Sequence, residues 1–78
     1  MRINFNTFGE YLKYQRNCNL LTLEQASQII GISTVSLCIL ENDKKKPRTS
    51  TIKKISNAYK IPIFEINAIQ KNLKTKIN

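Results

Sequence analysis

The side chains in this sequence with chemistry to offer are mostly cations. Lys44, Lys45, Lys46 and Arg48 stand together, interrupted only by Pro47. The chain carries 13 Lys and Arg against 5 Asp and Glu, a formal charge of +8. Such an excess attracts a polyanion, and nucleic acid is the commonest. A plain solvated, lysine-rich surface is the other reading. Catalytic groups are scarce: there is no His, no Gly-rich phosphate loop and no paired-carboxylate arrangement. Cys38 is the only conceivable nucleophile, and no histidine stands ready to activate it. Two cysteines without histidine cannot build the usual four-ligand zinc site. No enzymatic activity, cofactor or metal is expected.

These residues need a scaffold, and composition limits which one. Seventy-eight residues make one domain, and 41% hydrophobic content suffices for one core. Two Gly and two Pro leave few obligatory breaks, so helices joined by short turns are expected. No apolar run reaches the roughly 18 residues that span a bilayer. The start, Met1 to Phe5, has no hydrophobic signal core. A cytoplasmic protein away from membranes is expected, with Cys18 and Cys38 as reduced thiols.

The pattern predicts five helices. Residues 1–7 read as a short arm, 8–70 as the domain and 71–78 as a frayed tail. The first helix starts at Phe8 behind Thr7 as N-cap, with Glu10 as its capping-box partner. Phe8, Leu12 and Gln15 share one face beside Tyr11, and the helix stops near Cys18. Thr22 caps the second helix, with Gln25 completing a capping box. Ala26, Ile29 and Ile30 follow at helical spacing, and Gly31 supplies the left-handed residue that ends it. Ser33 caps the third helix, which turns Leu37 and Leu40 inward and Thr34, Val35, Cys38 and Ile39 outward. After the basic loop, a fourth helix from Thr49 or Ser50 carries Ile52, Ile55, Ala58 and Tyr59 inward. Pro62 suits the first turn of a fifth helix, which holds Ile63, Phe64, Ile66 and Ile69.

Two short helices joined by a glycine-containing turn form a helix-turn-helix. The string from Leu21 to Ser33 meets its demands, with small Ser27 at the helix crossing, Gly31 in the turn and Ile32 plugging the corner. From Leu21 to Asn42 the sequence resembles the lambda repressor-like (Cro/XRE-type) helix-turn-helix family. The likeness extends over about Phe8 to Ile66. It includes Phe8-Gly9, Leu12 and Arg16 in the first helix and Leu40-Glu41-Asn42 with Lys44 after the third. Pro47, Thr51-Ile52, Lys54-Ile55, Ala58, Ile61, Ile63 and Glu65-Ile66 continue it.

The resemblance implies an all-α, five-helix domain that lays its third helix in the major groove of double-stranded DNA. By position, Thr34, Val35, Cys38 and Ile39 become the base readers. Thr22, Asn42, Lys44, Lys45 and Arg48 become phosphate contacts. Arg16 and Glu41 become a structural ion pair joining the first helix to the third. The implied role is a dimeric transcriptional repressor; the fifth helix, more apolar at Ile63, Phe64 and Ile69 than a monomer needs, is the candidate dimer surface. The arm Ile3-Asn4-Phe5 is a further candidate to swap or pack there; Phe5 and Phe64 as core residues are the other reading.

The sequence departs from the family at the reading face. Leu23 stands where glutamine is common, and no Arg, Gln or Asn lies at the centre of the third helix. The bidentate contacts that read guanine or adenine most strongly are therefore missing. Two expectations follow. Val35 and Ile39 pack on thymine methyls, with Thr34 and Asn42 adding hydrogen bonds; or Leu23, Val35 and Ile39 form a patch for a protein partner. The second would make the domain an interaction module, such as an antitoxin or a phage or plasmid accessory protein.

Overall fold

The computed structural model describes residues 5–72. Five helices follow in order: α1 (Phe8–Cys18), α2 (Leu23–Ile30), α3 (Thr34–Glu41), α4 (Thr49–Tyr59) and α5 (Ile63–Asn72). No strand occurs among the described residues. Every helix sends at least one large side chain inward. Phe8 and Leu12 of α1, Leu37 of α3, Ile55 of α4 and Ile66 of α5 are fully buried. Each contributes about 1.5–3 kcal/mol of apolar burial. Ile30 of α2 closes the same core.

The starts of the helices follow their polar residues. Thr22 Oγ1 accepts from the Gln25 N–H (3.1 Å), and Gln25 Oε1 accepts from the Thr22 N–H (3.0 Å), a complete capping box. Ser33 caps α3 by accepting from the Ser36 N–H (3.0 Å). Thr7 caps α1 likewise, but the Glu10 carboxylate reaches the Asn6 N–H instead of that of Thr7. The expected reciprocal box is thus displaced by one residue.

The ends of the helices share one device. Leu20, Gly31, Asp43 and Lys60 all have positive φ, between 55° and 90°. After α1 the Leu21 N–H donates to the Arg16 carbonyl and the Leu20 N–H to that of Asn17. After α3 the Lys44 and Asp43 N–H groups repeat the pattern on Ile39 and Leu40. These paired bonds satisfy carbonyls that the helix leaves without partners. Only Gly31 adopts the conformation without steric cost. Leu20 does so while 91% exposed, so it gains no compensating contact. Leu20→Gly is expected to stabilise the domain by about 0.5–1 kcal/mol, relief of strain exceeding the added chain entropy. That corresponds to a rise of about 3–6 °C in a thermal melt; an unchanged or lower Tm would show that Leu20 is not strained.

Several expectations shift. Ile29 is exposed, because the inward face of α2 passes through Ala26, Ser27 and Ile30, and Ile29 lies one residue off it. Pro62 sits just ahead of α5, where its carbonyl accepts from the Glu65 and Ile66 N–H groups. Phe64 is 75% exposed, and only Ile66 of α5 is fully buried. Gln15 is half-buried beside the core. Of the two readings of Phe5, packing on the core is the one found. Its ring meets Tyr11 edge-on (5.5 Å between centroids) and Tyr14 at a tilt (5.2 Å). At the other end α5 runs past the expected boundary at 70. Ile3 and Asn4 of the arm, and the tail beyond 72, lie outside the described residues.

Candidate nucleic-acid interface

The axes of α2 and α3 turn through 106° at the break between them, within the range of a helix-turn-helix. Gly31 makes the break at φ 90°, and nothing lies within 4 Å of where its Cβ would stand. The glycine is needed for its backbone conformation, not for space. At the crossing, Ser27 is buried. Its hydroxyl donates to the Glu24 carbonyl (2.8 Å) and lies 3.0 Å from Thr34 Oγ1, tying the start of α3 to α2.

A second tie sets the far end of α3. Arg16 Nε donates to Glu41 Oε2 (2.8 Å) and Nη2 to Oε1 (3.2 Å), a bidentate fork. Arg16 Nη1 donates to the Leu21 carbonyl (2.9 Å). One guanidinium thereby links α1, the entry to α2 and the end of α3. The pair is nearly enclosed, with Arg16 and Glu41 side chains 12% and 6% exposed. Tyr59 packs nearby, and burial, aided by the Glu41 charge and opposed by Arg16, pushes its phenol up to about 12.

A third tie escaped the sequence reading. The Gly9 N–H in the first turn of α1 donates to Asp43 Oδ1 (2.8 Å). A Cβ at Gly9 would overlap the Glu41 carbonyl and the Asp43 carboxylate. The Phe8-Gly9 pair was visible, but the partner lies 34 residues away, and no local pattern announces it.

On this frame the outward side of α3 carries all four base-reading candidates. Thr34 and Val35 are exposed, and Cys38 and Ile39 are half-buried. Asn42 follows at the helix end, where its Nδ2 donates to the Cys38 carbonyl (2.8 Å) and contacts Cys38 Sγ (3.3 Å). A groove of about 340 Å³ runs beside α3 towards α4. Ser36 and Ile39 line it from α3, Lys45, Lys46 and Arg48 from the loop, and Ser50 and Thr51 from α4. The first turn of α4 has no side-chain cap. Ser36, Lys46, Ser50 and Thr51 were not among the sequence candidates, since their place depends on how the loop folds back. Lys44, Lys45 and Arg48 are all exposed. Thr22 stands exposed at the start of α2, but its N–H is already held by Gln25, and Glu24 adds a negative charge in that turn.

Two apolar surfaces narrow. Leu23 packs partly against the core, so the Leu23, Val35, Ile39 patch reduces to Val35 and the edge of Ile39. Ile69 also packs against the core, which leaves Ile63 and Phe64 as the exposed apolar pair on α5.

The family profile described as helix-turn-helix matches residues 12–66. The chain belongs to the lambda repressor-like (Cro/C1-type) helix-turn-helix family. The match takes in Arg16, both helices of the motif, the basic loop and Ile66. Within the family, the chain is 39% identical over 57 residues to the HTH-type transcriptional repressor RghR of Bacillus subtilis (strain 168), covering 72% of this chain and 42% of that protein. It is 36% identical over 62 residues to the HTH-type transcriptional regulator RghRB of the same organism, covering 78% of this chain and 45% of that protein. The chain thus spans less than half the length of these curated relatives. No solved structure gives a significant match. Among the described residues no single helix is long and apolar enough to cross a membrane.

Proposed function

We propose that the domain binds double-stranded DNA as a dimeric transcriptional repressor, with α3 in the major groove. The observation that carries this reading is the shared groove. Lys45, Lys46 and Arg48 line the same 340 Å³ cleft as Ser36 and Ile39 of α3. A helix entering the major groove would therefore bring these cations to the flanking phosphates. Phosphate contacts fix register and base contacts supply sequence. In this reading Lys44, Lys45 and Arg48 hold phosphates, assisted by Thr22, while Thr34, Val35, Cys38 and Ile39 face the bases. One Bacillus relative is named a transcriptional repressor, which agrees with such a role. The alternative, a protein-binding patch, is weakened by the partial burial of Leu23.

Neutralising Lys45 and Arg48 together (Lys45→Gln, Arg48→Gln) tests the phosphate contacts. Affinity for any duplex is expected to fall, and the slope of log K against log salt to become shallower by about two for each bound protomer, about four for the dimer. An unchanged slope would remove both residues from the interface.

One such module makes few base contacts, so a dimer spanning half-sites about 34 Å apart is the natural working unit. Ile63 and Phe64 are the surface available for it. Phe64→Lys is expected to leave a folded monomer by sedimentation. A wild-type protein that is already monomeric, both free and on DNA, would contradict the dimer.

A further inference from the structure

The internal hydrogen bonds of α3 determine what its outward face has left to offer a base pair. Ser27 has one hydroxyl proton and two oxygen neighbours, the Glu24 carbonyl and Thr34 Oγ1. A carbonyl can only accept, so the Ser27 proton goes to Glu24, and the proton between the two hydroxyls is that of Thr34. Thr34 therefore meets solvent as an acceptor. Asn42 faces the Cys38 carbonyl at 2.8 Å. Only an amide nitrogen suits that neighbour, and the same nitrogen contacts the Cys38 sulfur at 3.3 Å. What Asn42 leaves free is its Oδ1, again an acceptor. Glu41 is held by Arg16. Val35 lies next to Thr34 as bare methyl surface, 69% exposed.

A face of acceptors and methyls has a definite complement. In the major groove an A·T pair combines an amino donor (adenine N6) with a methyl group (thymine C5); a G·C pair also has an amino donor, at cytosine N4, but carries no methyl. We propose that α3 selects A·T pairs. Val35 packs on a thymine methyl, and the Thr34 and Asn42 oxygens accept from adenine N6. A G·C pair can satisfy the acceptors through cytosine N4 but leaves Val35 without a methyl to pack on, so the methyl contact carries the discrimination. This rests on the DNA-binding reading above and adds to it which pairs are read and by which atoms.

The test starts from a duplex selected from a random pool and replaces its thymines one at a time by 2′-deoxyuridine. At one or more positions per half-site, loss of the methyl is expected to weaken binding about fourfold. With Val35→Ala, the same replacement is expected to make no difference. Because Val35 is exposed, the melting temperature of that variant serves as the control for folding. Replacing adenine by a purine that lacks the 6-amino group is expected to weaken binding of the wild type as well. Salt-dependent binding that ignores every uridine replacement would overturn the proposal, as would a selected half-site whose required pairs are all G·C. Indifference to every duplex at low salt would overturn the DNA-binding reading itself, and this proposal with it.

Discussion

Replacing Glu41 by Ala is expected to lower the unfolding free energy by about 3–5 kcal/mol. The substitution leaves the Arg16 guanidinium, only 12% exposed, without its carboxylate. A buried charge stripped of its partner costs far more than the pair was worth, because desolvation is no longer offset. Arg16 keeps its bond to the Leu21 carbonyl, which accounts for one of its N–H groups but none of its charge. A domain of 78 residues has about 4–12 kcal/mol in all, so the variant stands near its folding threshold at 37 °C. The double variant Arg16→Met/Glu41→Met separates charge from packing. With both charges gone, much of the loss should be recovered. Denaturant titration of the three proteins measures it. A single variant with wild-type stability, or a double variant no better than the single, would contradict the account.

Gly9→Ala is expected to cost about 2–4 kcal/mol, although alanine is the better helix former by about 1 kcal/mol. The local preference loses because the added methyl must enter backbone. It would lie under 3 Å from the Glu41 carbonyl group and from Asp43 Oδ2. Neither can swing clear cheaply. Glu41 is pinned by Arg16, and Asp43 is held in the left-handed region at φ 59°. Moving α1 away instead would break the Gly9–Asp43 hydrogen bond and open the core at Phe8 and Leu12. Overpacking of this kind typically costs 1–3 kcal/mol, and the lost bond to a carboxylate adds to it. Thermal unfolding decides the point. An alanine variant as stable as the parent would mean that α1 and the end of α3 do not approach this closely.

The two glycines show what the sequence could and could not convey. Gly31 was readable because its requirement is local: a helix pattern ends, a glycine follows, and a cap residue begins the next helix. The requirement at Gly9 belongs to the end of α3, far along the chain, and carries no local signature. The three other positive-φ residues were hidden for a related reason. Leu20, Asp43 and Lys60 take a conformation that their side chains disfavour, held there by the carbonyls of the preceding helices. The first three helices were legible through Thr7, Thr22 and Ser33, whose capping follows from hydroxyl chemistry alone. The outward side of α3 was equally legible from the inward spacing of Leu37 and Leu40. Periodicity was less informative at Ile29 and Phe64, where apolar residues sit one position off an inward face. The apolar character of the α3 face was legible, but the acceptor sense of Thr34 and Asn42 was not, since it depends on where the Thr34 proton and the Asn42 amide are engaged.

In the proposed complex the α3 face meets the base edges and the adjoining cations meet the phosphates of the same duplex. Binding of the purified protein to a mixed-sequence duplex, measured across salt concentrations, tests it most directly. Three phosphate-bound cations per protomer predict a log–log slope of about −3 for a monomer and about −5 for a dimer. A slope near zero, or no binding to any duplex at low salt, would contradict the claim.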